Sequence, residues 1–229
     1  MKYELIGTTM PAVEITFDAP GEKMFTQSGG MAWMTEGIRM ETNTKGGFMK
    51  GLSRMFAGES MFMATYTAEA ADTQIAFAST VAGQILPINI NEHGSLICQK
   101  GAFLCGEDSI QLDVTFTKKF SSGFFGGEGF ILESIHGDGM VFLEVDGDLV
   151  CKDLAPGEVL KVDTGNVVAF DSSVEYGIET VKGMSNIFFG GEGLFLTTLK
   201  GPGRVYLQTQ NIAEFAGRIA RYIPQPSSK

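Results

Sequence analysis

The chain has 229 residues, with 17 Lys and Arg against 27 Asp and Glu and a formal net charge of −10. That length can bury the core of a single domain spanning 1–229 without staples. The acidity argues against nonspecific nucleic-acid binding, in which Lys and Arg neutralising phosphate supply most of the affinity.

Glycine is abundant at 30 residues, beside 18 Phe and 12 Met. Such a composition suits many short strands joined by tight turns, because glycine supplies the positive φ that hairpins require. Three cysteines, Cys98, Cys105 and Cys151, form no paired framework and fit a reducing compartment. The start MKYELIGTTM lacks the apolar stretch of a signal peptide, and no apolar run of about 18 residues occurs. The cytoplasm is the expected location.

In chain order, residues 3–18 carry alternating Val13, Ile15 and Phe17 and are expected to form a strand. A second alternating run follows at Ile38, Met40 and Thr42, and further strands at Met61–Thr67 and around Ile75 and Phe77. Cys98 and Cys105 flank Gly101 in apolar sequence and are read as small core residues. The run Ile110, Leu112 and Val114 alternates in the same way, followed by FILESI from Phe130 and MVFLEV after the turn Gly137-Asp138-Gly139. Asp146-Gly147 reads as a hairpin signal. Val174, Tyr176 and Ile178 alternate next, then come LFLTTL from Leu194 and RVYLQT after Gly201-Pro202-Gly203. Ile212, Phe215, Ala216, Ile219 and Ile223 recur at helical spacing, so residues 211–223 are expected to form a helix. Asn211 caps it, Pro224 ends it, and it is expected to pack on the β body.

These elements repeat. Phe56-Ala57-Gly58-Glu59-Ser60, Phe125-Gly126-Gly127-Glu128-Gly129 and Phe189-Gly190-Gly191-Glu192-Gly193 share one pattern, and an apolar run follows each. Gly30, Gly101 and Gly165 precede the three glutamates by 29, 27 and 27 residues. The expected fold is therefore all-β, with three tandem repeats about a pseudo-threefold axis and a short C-terminal helix. The repeats span approximately 20–83, 90–152 and 153–210.

The three motifs, with Ser28-Gly29-Gly30 and the segment Gly46–Gly51, resemble the bacterial branch of the altered-inheritance-of-mitochondria family, member twenty-four. The resemblance runs from about residue 3 to about residue 222. It implies a β fold like that of the trp RNA-binding attenuation protein, repeated three times in one chain. Mitochondrial members of the family are associated with inner-membrane organisation. This chain shows no transit-peptide composition, so that role is not carried over. The fold likeness by itself implies no RNA binding.

Little in the sequence advertises catalysis, and neither an enzymatic role nor a cofactor is expected. The two histidines, His93 and His136, are far apart, and zinc-type cysteine spacing is absent. No nucleophile motif occurs, and each glycine-rich motif carries a glutamate and leads into a strand, unlike a phosphate loop. No catalytic or metal-ligating residue is assigned. Glu59, Glu128 and Glu192 could converge about an axis as a cation or small-molecule site, or each could fix its own turn.

The segments just before the motifs combine basic and bulky apolar residues. Lys50, Arg54 and Phe56 lie in the first, where residues 48–56 also fit helical spacing. Lys118, Lys119, Phe124 and Phe125 lie in the second, and Lys182, Phe188 and Phe189 in the third. The repeat would gather them at one end of the molecule. The expected partner is a protein or an anionic membrane surface, with no specific nucleic acid. A homo-oligomer is compatible with the sequence. The same Phe and Met side chains could instead plug the end of the β body.

Overall fold

The computed structural model describes residues 1–27, 29–43, 63–118, 130–180, 195–220 and 222–223. These form β1(Lys2–Ile6), β2(Ala12–Phe17), β3(Lys23–Gln27), β4(Met31–Met34), β5(Ile38–Asn43), β6(Met63–Ala68) and β7(Thr73–Ala78). They continue with β8(Gly83–Asn89), α1(Ile90–His93), β9(Leu96–Gln99), β10(Phe103–Glu107), β11(Ile110–Lys118), β12(Phe130–Gly137), β13(Met140–Asp146) and β14(Leu149–Leu154). The last are β15(Val159–Asp163), β16(Val167–Asp171), β17(Glu175–Thr180), β18(Phe195–Lys200), β19(Gly203–Gln208) and α2(Ile212–Ala220). No described helix is long and apolar enough to cross a membrane.

The strands form four antiparallel sheets. The first has the order β1-β2-β7-β4, the second β5-β6-β3-β10-β13-β8, the third β11-β12-β9-β16-β19-β14 and the fourth β15-β18-β17. The start expected as one strand is two, β1 and β2, paired from Lys2 opposite Thr16 to Ile6 opposite Ala12. Alternation on β2 turns Val13, Ile15 and Phe17 into the interior, as the sequence pattern requires.

Three apolar cores lie between successive sheets. Val13, Ile15, Ile75 and Phe77 of the first sheet meet Met24, Tyr66 and Phe142 of the second. Phe25, Phe103, Val141 and Leu143 of the second meet Leu96, Cys98, Ile135 and Tyr206 of the third. Phe130, Leu132, Phe170 and Val205 of the third meet Val162 and Leu199 of the fourth. Each fully buried Phe contributes roughly 1.5–3 kcal/mol by leaving water. Cys98 and Cys105 are buried as expected, and burial pushes both thiols up.

Asp146-Gly147 is not a hairpin. Gly147 has φ 72, so the chain does turn there. However, β13 pairs with β8 and β10 in the second sheet, while β14 pairs with β19 in the third. The turn passes the chain between layers. Burial, and secondarily Glu144, pushes the Asp146 carboxyl from 3.8 up to about 6. A carboxyl raised in the folded state gives most stability below its unfolded value and loses it as pH rises through about 6. Asp146→Asn, which fixes the neutral form, should raise Tm by about 2–4 °C near pH 7.5 and change little near pH 4. Thermal melts of both proteins at the two pH values check this.

The C-terminal helix forms, but it does not pack on the β body. None of its residues is buried, and Ile212, Phe215 and Ile219 are 40%, 49% and 45% exposed. Only its cap is anchored. Asn211 Oδ1 accepts from the backbone N–H groups of Ala213 and Glu214 at 3.1 and 3.3 Å, and Asn211 Nδ2 donates to Asp163 Oδ1 at 3.2 Å. The Asn211 side chain lies where a Cβ on Gly165 would sit, so only glycine leaves room for the cap. Period alone shows that a helix has an apolar face, not what covers it.

Candidate functional site

Three hairpins frame the sequence segments singled out above. β5 pairs with β6 up to Asn43 opposite Met63, β11 with β12 up to Lys118 opposite Phe130, and β17 with β18 up to Thr180 opposite Phe195. Each segment therefore joins the ends of two facing strands. The second strand of each pair is in turn bonded to a third: β6 to β3, β12 to β9 and β18 to β15.

Of the candidate binding residues, Lys118 has a described backbone, as the last residue of β11. Lys50, Arg54, Phe56, Lys119, Phe124, Phe125, Lys182, Phe188 and Phe189 lie outside the described residues. So do Glu59, Glu128 and Glu192, and the helical turns expected over 48–56.

Close to the base of the second hairpin, the second and third sheets exchange a polar contact. Gln27 ends β3, and its Nε2 donates to both oxygens of Glu133 on β12, at 3.2 and 3.0 Å. Glu133 is fully buried. Its charge adds to burial in raising the Cys98 thiol.

A further polar cluster was not read from the sequence. His93 Nε2 and the Tyr206 hydroxyl lie 2.6 Å apart, with Asp171 Oδ1 3.7 Å from the same nitrogen. Asp171 Oδ2 accepts from the backbone N–H of Arg204 at 2.7 Å, and the Arg204 guanidinium reaches both oxygens of Asp153 at 2.6 and 3.1 Å. Burial first, then the Asp171 carboxylate, holds the Tyr206 phenol above its usual range. Cys151, on β14, is the register partner of Tyr206.

Alternation on β19 is the one local signal, since it puts Arg204 and Tyr206 on one face. The 113 residues between His93 and Tyr206 hide the rest. The cluster ties α1 to the third sheet. Tyr206→Phe should cost about 1 kcal/mol by leaving the ring nitrogen of His93 without this partner, measurable by urea unfolding. Among the described residues, no group of three or more His, Cys, Asp or Glu is placed to hold a metal ion.

Comparison with known proteins gives concordant results. Residues 3–210 match the family described as Mitochondrial biogenesis AIM24. An uncharacterised protein of Streptococcus pyogenes is 30% identical over 226 residues, covering 95% of this chain and 89% of its own. A Streptococcus pyogenes protein solved by crystallography in a structural genomics programme superposes with a TM-score of 0.78 at 27% identity, covering 97% of this chain and 99% of that one. The profile and the relative span nearly the whole β body, and on that ground the chain belongs to the Mitochondrial biogenesis AIM24 family.

Proposed function

We propose that this protein is a non-catalytic binding or scaffold protein that engages its partner through the three basic and aromatic segments. One observation carries the reading. All three segments join the facing ends of an antiparallel strand pair, so each is presented by the same kind of rigid support. In a chain of net charge −10, local groups such as Lys118-Lys119 and Lys50 with Arg54 stand out as basic patches. Basic groups beside aromatic ones suit a partner that offers anionic groups next to an apolar face.

A cytoplasmic setting belongs to the same reading, supported by the three free cysteines. So does a chain of three related units, each like a subunit of the trp RNA-binding attenuation protein. Three sets of pairings support it: β2–β7–β4, β8–β13–β10 and β14–β19–β16. The bulges at Met31/Trp33, Phe103/Cys105 and Val167/Ala169 fall alike.

The test is an affinity capture from native lysate with wild type and with Lys50→Glu, Lys119→Glu and Lys182→Glu combined. The variant should keep the wild-type Tm and lose at least about tenfold of the captured partner, as expected when several charged contacts are reversed. Equal capture by both proteins would overturn the reading.

A further inference from the structure

The apolar stripe of α2 faces solvent. Ile212, Phe215, Ala216 and Ile219 recur along one side of the helix, and none of them is buried. Tyr222 and Ile223 extend the same side. Their backbone N–H groups donate to the carbonyls of Ile219 and Ala220 at 2.9 and 3.3 Å, so the chain keeps turning past Ala220. Tyr222 is 88% exposed and Ile223 58%.

The start of the helix is held at a defined place. Asn211 caps α2 and donates to Asp163 Oδ1, which also accepts from the Gly165 backbone N–H at 3.0 Å. Asp163 ends β15 and stands opposite Leu196 of β18, which stands opposite Glu179 of β17. The next pair, Phe195 with Thr180, is the last before the third basic and aromatic segment. α2 therefore leaves the β body at the end where that segment is joined.

Charge divides along the chain in the same sense. Residues 211–229 hold Arg218, Arg221 and Lys229 against Glu214, a net charge of +2, so the rest of the chain carries −12. Arg218 lies in the last turn of α2 and is exposed, one turn from Phe215 and Tyr222. A stripe of Ile and Phe with Arg at its flank is the pattern of a helix that lies in the plane of a bilayer surface. Its apolar side sinks about 5–10 Å, and its basic side meets anionic headgroups. Tyr222 suits that boundary, with an apolar ring and a hydroxyl that stays wet. An anionic surface repels the acidic body, which leaves the basic end as the one that approaches.

We propose that α2 is a membrane-surface anchor that lies on an anionic phospholipid bilayer and sets the three segments against its headgroups. The role of the segments rests on the binding face proposed above, whereas the affinity of the helix is its own.

Vesicles of phosphatidylcholine mixed equally with phosphatidylglycerol, and vesicles of phosphatidylcholine alone, test this by sedimentation. The wild type should sediment with the mixed vesicles, much less with the neutral ones, and less as salt rises. Phe215→Asn combined with Ile219→Asn leaves the charge and every buried residue unchanged. It should keep the wild-type Tm and lose at least about tenfold of the vesicle binding. Trp33 is the one tryptophan of the chain. With Trp33→Phe and Phe215→Trp, emission should move to shorter wavelength on the mixed vesicles and stay unchanged on the neutral ones.

Lys50→Gln, Lys119→Gln and Lys182→Gln combined separate this anchor from the segments. That protein should bind less than the wild type, and in the indole-bearing background its emission should still shift. Binding kept in full would overturn the role of the segments and leave that of the helix. Equal sedimentation of the wild type and the Asn variant would overturn the anchor, as would an unshifted emission. A wild type that stays in solution beside the mixed vesicles would also overturn it and would assign the apolar stripe to a protein partner.

Discussion

Phe142→Ala is expected to lower stability by about 3–5 kcal/mol and Tm by about 10 °C. Phe142 sits on β13, is 1% exposed, and belongs to the core between the first and second sheets. Tyr3 of β1 meets it edge-on, with ring centroids 5.1 Å apart. In the register it stands opposite Cys105 on one side and Pro87 on the other. Truncation removes the largest apolar group at the place where β1 and β13 meet. The residues around it belong to two hydrogen-bonded sheets and cannot collapse freely into the space. Val150→Ala, at a 38% exposed position on β14, serves as the control and should change stability by less than about 0.5 kcal/mol. Urea unfolding of the three proteins measures both. A loss below about 1 kcal/mol for Phe142→Ala would mean that this core is not filled as described.

Gln27→Leu should cost about 1.5–3 kcal/mol although Leu keeps most of the volume. The amide of Gln27 donates to both oxygens of the fully buried Glu133 across two sheets. Removing that donor takes a two-pronged bond from a carboxylate that water does not reach. Gln27→Glu should cost more at neutral pH, since two carboxylates at this distance repel each other. A loss for Gln27→Glu no larger than that for Gln27→Leu would mean that repulsion between the two carboxyl groups adds nothing to the lost hydrogen bonds.

Alternation made the strands legible. Val13, Ile15 and Phe17, and Ile110 and Leu112, are buried where the period-two pattern placed them. The core character of Cys98 and Cys105 and the cap at Asn211 were equally local matters. Pairing was not legible. A run of alternating residues declares which face is apolar but not which strand lies beside it. Asp146-Gly147 therefore looked like a hairpin between neighbours in sequence, whereas β13 chose β8 and β10.

The polar contacts were hidden for the same reason. Gln27 and Glu133 are 106 residues apart, and His93 and Tyr206 are 113. The α2 helix shows a further limit, because an amphipathic pattern does not name the surface that covers it, and here no residue of the helix is buried. Of the candidate site, what the fold adds is the support: three segments, each joining facing strand ends of a hairpin.

The central claim is that those three hairpins open toward one face. Spin labels at Thr42, Thr115 and Glu179 test it, since all three are exposed and lie near the open ends of β5, β11 and β17. With Cys151 replaced by Ser, pairs of labels are introduced two at a time and their separations measured by pulsed electron resonance. Similar separations for the two pairs on adjacent sheets, Thr42 with Thr115 and Thr115 with Glu179, and a longer one for Thr42 with Glu179 are the predicted result. One adjacent pair much farther apart than the other would place its hairpin on a different side of the molecule and would contradict a common binding face.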